Sequence, residues 1–193
     1  MKFPQESLYR AMELAQRAVA QDDSFSDAHR LLSILYCYHR EYDKGLAEGE
    51  RSLDLDPNGA ETLSNYGWVL YISGRTDEAI PIFQRAIRLN PNGPSYFFWF
   101  YGTALRVKGR LDESISAFQK ALQRDPNDIY AHLGLAATYS LIGRNEEACN
   151  EAEEVLRINP KFSLDYSQKI NPYKDQSLAE EYYFKLLRKT GLK

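Results

Sequence analysis

No stretch of this chain holds the run of about 18 apolar residues that a membrane-spanning helix needs. The first residues, MKFPQESLYRAMELAQ, likewise lack the apolar core of a secretion signal. Excess charge of either sign is missing too. Lys and Arg number 24 against 27 Asp and Glu, a formal net charge of −3. That balance leaves no basic footprint for nonspecific binding to nucleic acid. Cysteine is scarce. Cys37 and Cys149 lie far apart and form no paired motif, so they are expected to be reduced, partly buried thiols in a cytoplasmic protein. Catalytic signatures are absent. There is no His–Glu–x–x–His, no Cys–x–x–Cys and no Gly-rich phosphate loop. His29, His39 and His132 are scattered, and His29 and His132 share a column with Leu63 and Phe98, which makes them packing residues. The expectation is no enzyme, no cofactor, no metal site and no membrane or nucleic-acid partner.

What the chain does have is internal repetition. The phrases LDLDPNGAE, IRLNPNGPS, LQRDPNDIY and LRINPKFSL recur, with Pro57, Pro91, Pro126 and Pro160 spaced by 34, 35 and 34 residues. A second signal, SGRTDEAI, KGRLDESI and IGRNEEAC, places Gly74, Gly109 and Gly143 each 17 residues before the next Pro. Glycine adopts the positive φ that ends a helix. Acidic residues suit the start of the next helix. Proline then ends that helix, having no N–H to give. Each unit therefore reads helix, tight turn, helix, turn. Pro81 falls near the first turn of its helix, where a missing N–H matters least.

Small and large residues recur in register. Ser33, Gly67, Gly102 and Ala136 form one small column, and Gly45, Ala79, Ser114 and Ala148 another. Bulky columns lie beside them: Tyr36, Leu70, Leu105 and Tyr139; Leu32, Tyr66, Tyr101 and Leu135; and Phe83 with Phe118 in the two middle units. Small residues let helices approach and large ones fill the space between. This pattern resembles the tetratricopeptide repeat (TPR). The resemblance implies an all-α fold, a right-handed superhelix of helix-turn-helix repeats with a C-terminal capping helix. Residues 1–193 then read as one TPR domain: a half repeat over 5–25, repeats over 26–59, 60–94, 95–128 and 129–162, and a cap over 163–193. The first full unit departs from the pattern. Arg40 stands where the turn glycine belongs, and Gly45 and Gly49 sit inside a helix at about 1 kcal/mol each relative to Ala.

The ends carry further expectations. Ala11, Ala15 and Ala18 fall where a unit's second helix has them, while its first helix is missing. A start in mid-unit points to a chain cut from a longer protein, with Met1 an added start. At the other end, Asp175 is an N-cap and Gly191 a stop. Leu178, Tyr182, Tyr183, Leu186 and Leu187 form an apolar stripe that covers the last unit. Lys185, Arg188 and Lys189 complement the helix dipole. The stretches INPKFSLDYSQKINPYKD and LLRKTGL, with the segment from Gly67 to Arg110, resemble TPR regions appended to bacterial class III adenylate/guanylate cyclases. That likeness implies a regulatory or assembly module without catalysis.

One stretch asks for a partner. PSYFFWFYG places six aromatic residues in a row, from Tyr96 to Tyr101. On a helical wheel Phe98, Tyr101, Gly102 and Leu105 face the core, and Tyr96, Trp99, Thr103 and Arg106 face the opposite side, with Phe97 and Phe100 at the margins. In a TPR array that opposite side lines the concave groove. Equivalent groove positions are Asp27, Arg30 and Tyr38; Glu61, Ser64, Asn65, Trp68 and Tyr71; and Tyr130, Leu133 and Ala137. Trp, Tyr and Arg are the usual anchors of protein recognition. The expected peptide- or partner-binding set is Arg30, Tyr38, Asn65, Trp68, Tyr71, Tyr96, Trp99, Thr103, Arg106 and Tyr130. The Lys- and Asn-rich clamp of chaperone-binding TPR domains is not matched, since only Arg30, Asn65 and Arg106 could serve. The expected partner is a protein or peptide. The alternatives are packing of these aromatics between neighbouring first helices, a homodimer, and an intramolecular contact with a missing N-terminal domain.

Overall fold

The computed structural model describes residues 5–193. Met1, read above as an added start, lies outside the described residues. All regular structure among the described residues is helical. The helices are α1 (Gln5–Gln21), α2 (Ser26–Tyr38), α3 (Tyr42–Leu55), α4 (Ala60–Ile72), α5 (Thr76–Leu89), α6 (Ser95–Val107), α7 (Leu111–Arg124), α8 (Ile129–Leu141), α9 (Asn145–Ile158) and α10 (Leu164–Ile170). A last helix has three parts: α11 (Gln176–Ala179), a π-helical turn (Glu180–Phe184) and α12 (Lys185–Arg188). None is long and apolar enough to cross a membrane.

The turns form as their sequence requires. Gly74, Gly109 and Gly143 have φ of 89°, 72° and 78°, and Arg40, in the matching place, adopts 61°. That is the left-handed region, which costs a side-chain-bearing residue about 1 kcal/mol or more. The Pro-containing turns are clasped by arginines. Arg85 donates to the Pro57 carbonyl at 2.8 Å, Arg124 to the Pro91 carbonyl at 3.0 Å, and Arg157 to Asn127 Oδ1 at 3.0 Å. Arg51 does the same for the Asp23 turn. Pro81 is the sixth residue of α5. It therefore lies in the second turn, beyond the first-turn place expected of it, and removes one helical hydrogen bond.

The chain forms two compact units. Unit 1 holds α1 to α5 together with Pro172–Lys174. Here α1 packs on α2 through Ala15, Leu32 and Leu35, with Leu8, Ala11, Met12 and Val19 around them. Phe83 is fully buried against Gly67, where an added Cβ would come within 2.8 Å of the ring. Gly45 and Gly49 answer to the same need. A Cβ on Gly45 would lie 2.6 Å from Cys37 Sγ, and one on Gly49 2.7 Å from the Tyr66 ring. Unit 2 holds residues 91–171 and 175–193. Its centre is Phe118, which lies against Gly102 and Gly134. Burying such a ring contributes about 1.5–3 kcal/mol.

Three expectations change. Phe184, outside the expected stripe, is one of the most buried residues of the C-terminal helix, while Leu178, Tyr182 and Tyr183 are half-buried. The π turn is the reason: it adds one residue to a helical turn and shifts the buried face. Both cysteines are free, but only Cys37 is buried, and Cys149 is exposed. Burial pushes the Cys37 thiol up to about 11. Finally, His29 and His132 are buried but do more than pack. Each ring bonds a carboxylate, Glu48 or Glu151, at 2.6 Å, and a backbone carbonyl, of Asp23 or Pro126, at 3.1 Å.

Candidate functional site

The expected binding residues fall on two faces, one in each unit. In unit 1, α2 carries Arg30 and Tyr38 and α4 carries Asn65, Trp68 and Tyr71. Arg30 is half-buried and paired with Asp27 at 3.0 Å one turn back. Tyr38 is exposed. Asn65 turns onto its own helix and donates to the Glu61 carbonyl at 2.8 Å. Trp68 and Tyr71, one turn apart, stack with centroids 5.3 Å apart. Neither is open to solvent, with exposures of 7% and 8%. Tyr173 stands edge-on to both, at 6.0 Å and 5.6 Å. No periodicity in the sequence placed Tyr173 there, because it belongs to no repeat.

In unit 2, α6 carries Tyr96, Trp99, Thr103 and Arg106 and α8 carries Tyr130. The six aromatics of α6 divide unevenly. Phe97, Phe98 and Phe100 are buried, and Tyr96, Trp99 and Tyr101 are half-buried. Phe97, expected at the margin, has no exposure at all. Trp99 stacks on Tyr130 of the next first helix, with centroids 5.0 Å apart and planes at 23°. Tyr130 leaves 59% of its surface in water. Trp99 also meets the Phe100 ring edge-on at 4.2 Å, which anchors it to the core. The rest of this face is closed. The Thr103 hydroxyl donates to the Trp99 carbonyl at 2.8 Å. Arg106 is only 1% exposed. Its Nη1 donates to the Gly134 carbonyl at 3.3 Å, and its guanidinium lies 5.8 Å from the Phe118 centroid and 5.3 Å from that of Tyr183. Cation–π contact with two rings offsets part of the cost of burying that charge. Leu133 and Ala137, read above as groove positions, are buried.

Both faces set aromatic rings beside hydrogen-bonding side chains. Among the described residues no group of three or more His, Cys, Asp or Glu could hold a metal ion. Flat aromatic surface with hydrogen-bonding rims suits an extended or helical polypeptide.

Comparison with known proteins agrees with this fold. Tetratricopeptide-repeat family models match residues 60–92 and 107–168. Three solved structures share the fold. PilW, a type IV pilus biogenesis factor, is 22% identical with a TM-score of 0.74, covering 92% of this chain and 84% of that one. A thermophilic TPR protein from Thermus thermophilus is 18% identical with a TM-score of 0.71, covering 91% and 88%. YrrB, described as a TPR protein with an unusual peptide-binding site, is 25% identical with a TM-score of 0.59, covering 81% and 80%. Among curated proteins, the transcriptional regulator HilA of Salmonella typhimurium is 29% identical over 87 residues, 45% of this chain. The match spans only 16% of that regulator's length.

Proposed function

We propose that this array of tetratricopeptide repeats is a protein-interaction scaffold, and that its aromatic faces bind a peptide or partner protein rather than nucleic acid, a membrane or a substrate to be transformed. One observation carries the reading: the Trp99–Tyr130 stack, shared by consecutive first helices and left half open to water. An aromatic side chain can bury about 150–250 Å², and at about 25 cal/mol per Å² a wet one forgoes several kcal/mol. The peptide-binding description of YrrB supports the same class of partner. In unit 1, Arg30, Tyr38 and Asn65 would flank a chain bound on that unit's own face; in unit 2, Tyr96 would flank one bound on the Trp99–Tyr130 face.

A second reading makes the repeats the regulatory or dimerisation module of a larger signalling protein. The resemblance to cyclase-appended TPR regions and the alignment with a short part of a longer regulator favour it. Both readings are of one binding activity and differ in whether the partner is an unrelated protein, a second copy or another part of the same chain.

A displayed peptide library tests the binding face. The wild-type chain should enrich a set of sequences, and Trp99→Ala should lose them while melting within a few degrees of wild type. Phe98→Ala, which deletes a buried ring, should instead lose about 3–5 kcal/mol of stability. Retained enrichment by Trp99→Ala, or a stability loss equal to that of Phe98→Ala, would show that these aromatics are core alone.

A further inference from the structure

Residues 172–174 are held as a ligand would be. They belong to unit 1, although Asn171 and Asp175 on either side belong to unit 2. Pro172 is buried, Tyr173 half-buried and Lys174 exposed. Tyr173 sets its ring against Trp68 and Tyr71. Its carbonyl accepts from Arg40 Nη1 at 3.2 Å. The Lys174 backbone N–H donates to the Ile72 carbonyl at 2.8 Å, one of the last carbonyls of α4, which have no partner within the helix. Lys174 Nζ lies 5.7 Å over the Tyr42 ring. Backbone hydrogen bonds at both edges, an aromatic slot and a ring beneath a cation together make a recognition site for an extended segment. The base of the segment closes on itself. Asn171 and Gln176 exchange side-chain amide hydrogen bonds at 3.3 Å and 3.2 Å, and Asp175 Oδ1 caps the next helix through the Leu178 N–H at 2.9 Å. The three residues are therefore flanked by side-chain bonds of their own neighbours.

Arg40 adds a second, independent observation. Three of the four turns at this place use glycine, and this one holds an arginine at φ 61°. A strained residue persists where it does something that the unstrained one cannot. Here the side chain reaches Tyr42 Oη and the Tyr173 carbonyl, both at 3.2 Å. Glycine would relieve the turn and lose the grip on the segment.

We propose that the Trp68–Tyr71 face of unit 1 is a receptor for an extended Pro–aromatic–Lys segment, and that Pro172–Tyr173–Lys174 of the same chain is its resident, displaceable occupant. With Tyr173 half-buried and Lys174 exposed, the occupant is not sealed in. A partner bearing the same three side chains competes for the slot. The site shares no residue with the Trp99 face, so the two readings fail separately.

The test uses a fluorescein-labelled peptide of residues 168–178 and the full chain, read by anisotropy. Tyr173→Ala should bind the peptide at least about tenfold more tightly than wild type, the factor for an internal occupant in place about 90% of the time. Replacing 172–174 by Gly-Ser-Gly should do the same. Adding Trp68→Ala to either should abolish binding, as should Tyr→Ala within the peptide. Adding Arg40→Gly to Tyr173→Ala should weaken peptide binding severalfold while leaving the melting temperature unchanged or higher, an outcome that unfolding cannot mimic. Equal affinity of wild type and both emptied variants, no binding by any of them, or indifference to Arg40→Gly overturns the proposal. So does a concentration-dependent wild-type dimer that Tyr173→Ala dissolves, since the segment would then belong to a second copy.

Discussion

His132 shows how one residue can do more than its column suggests. Its Nδ1 donates to Glu151 and its Nε2 to the Pro126 carbonyl. A carboxylate and a carbonyl are both acceptors, so contact with one at each ring nitrogen favours the doubly protonated imidazolium. Burial alone would lower its pKa. The Glu151 carboxylate, the Pro126 carbonyl and the charge of Glu154 outweigh that and hold it above the ordinary histidine value. The folded chain thus binds this proton more tightly than the unfolded one. The resulting stability is complete below about pH 6.5, the unfolded value, and is lost as pH rises through the raised folded value. Phe98 occupies the same column in the neighbouring repeat, so His132→Phe is a fitting comparison. The wild-type advantage over this variant should shrink as pH rises above the ordinary histidine value of about 6.5. His29 is present in both proteins and cancels. Thermal melts across that range decide the matter, and a pH-independent difference would remove the imidazolium from the account.

At the scale of elements, the C-terminal helix is where packing overrides simple periodicity. The π turn at Glu180–Phe184 brings Phe184 to 2% exposure while leaving Leu178 half-buried. The helix packs on α8 and places Tyr183 over Arg106. Phe184→Ala should cost about 3–5 kcal/mol in urea denaturation, and Leu178→Ala clearly less. Equal losses would mean that the buried face follows the regular helical stripe after all. The other helices obey their sequence more closely. Cap arginines Arg75, Arg110 and Arg144 each grip a glutamate three residues on, at 2.6–2.7 Å. These exposed pairs repeat with the turns, yet water screens them and each adds little to stability.

Across the whole molecule, stability is unevenly spread. Repeat proteins hold together through neighbouring elements, so a weak helix pair opens locally. The pair α2–α3 is expected to be the weak one, although its two helices pack closely. Helix α3 buries only Gly45, Gly49 and Ser52, whereas α5 buries Ala79, Ile80, Phe83 and Ala86 as well as Thr76. It also follows the strained Arg40 turn. Hydrogen exchange followed by mass spectrometry should find residues 42–55 exchanging before those of α5 and α7. Slower exchange in α3 would show that the close glycine contacts with Cys37 and Tyr66 outweigh the missing apolar side chains.

The sequence by itself determined the helix pairs, their turns and the kind of surface they offer. Positive-φ glycines and chain-ending prolines act within a few residues, and small-against-large columns repeat with each unit, so both are written along the chain. It also put Trp99 and Tyr130 on the expected groove side of consecutive first helices, but left their stacking on each other open. Tertiary structure alone decided what covers each face. Tyr173 over Trp68 and Tyr183 over Arg106 join residues distant in sequence, from a tail that follows no repeat, so no local propensity encodes them. The same holds for Arg40. Its departure from glycine is visible in the sequence, but its reason is a carbonyl more than a hundred residues away.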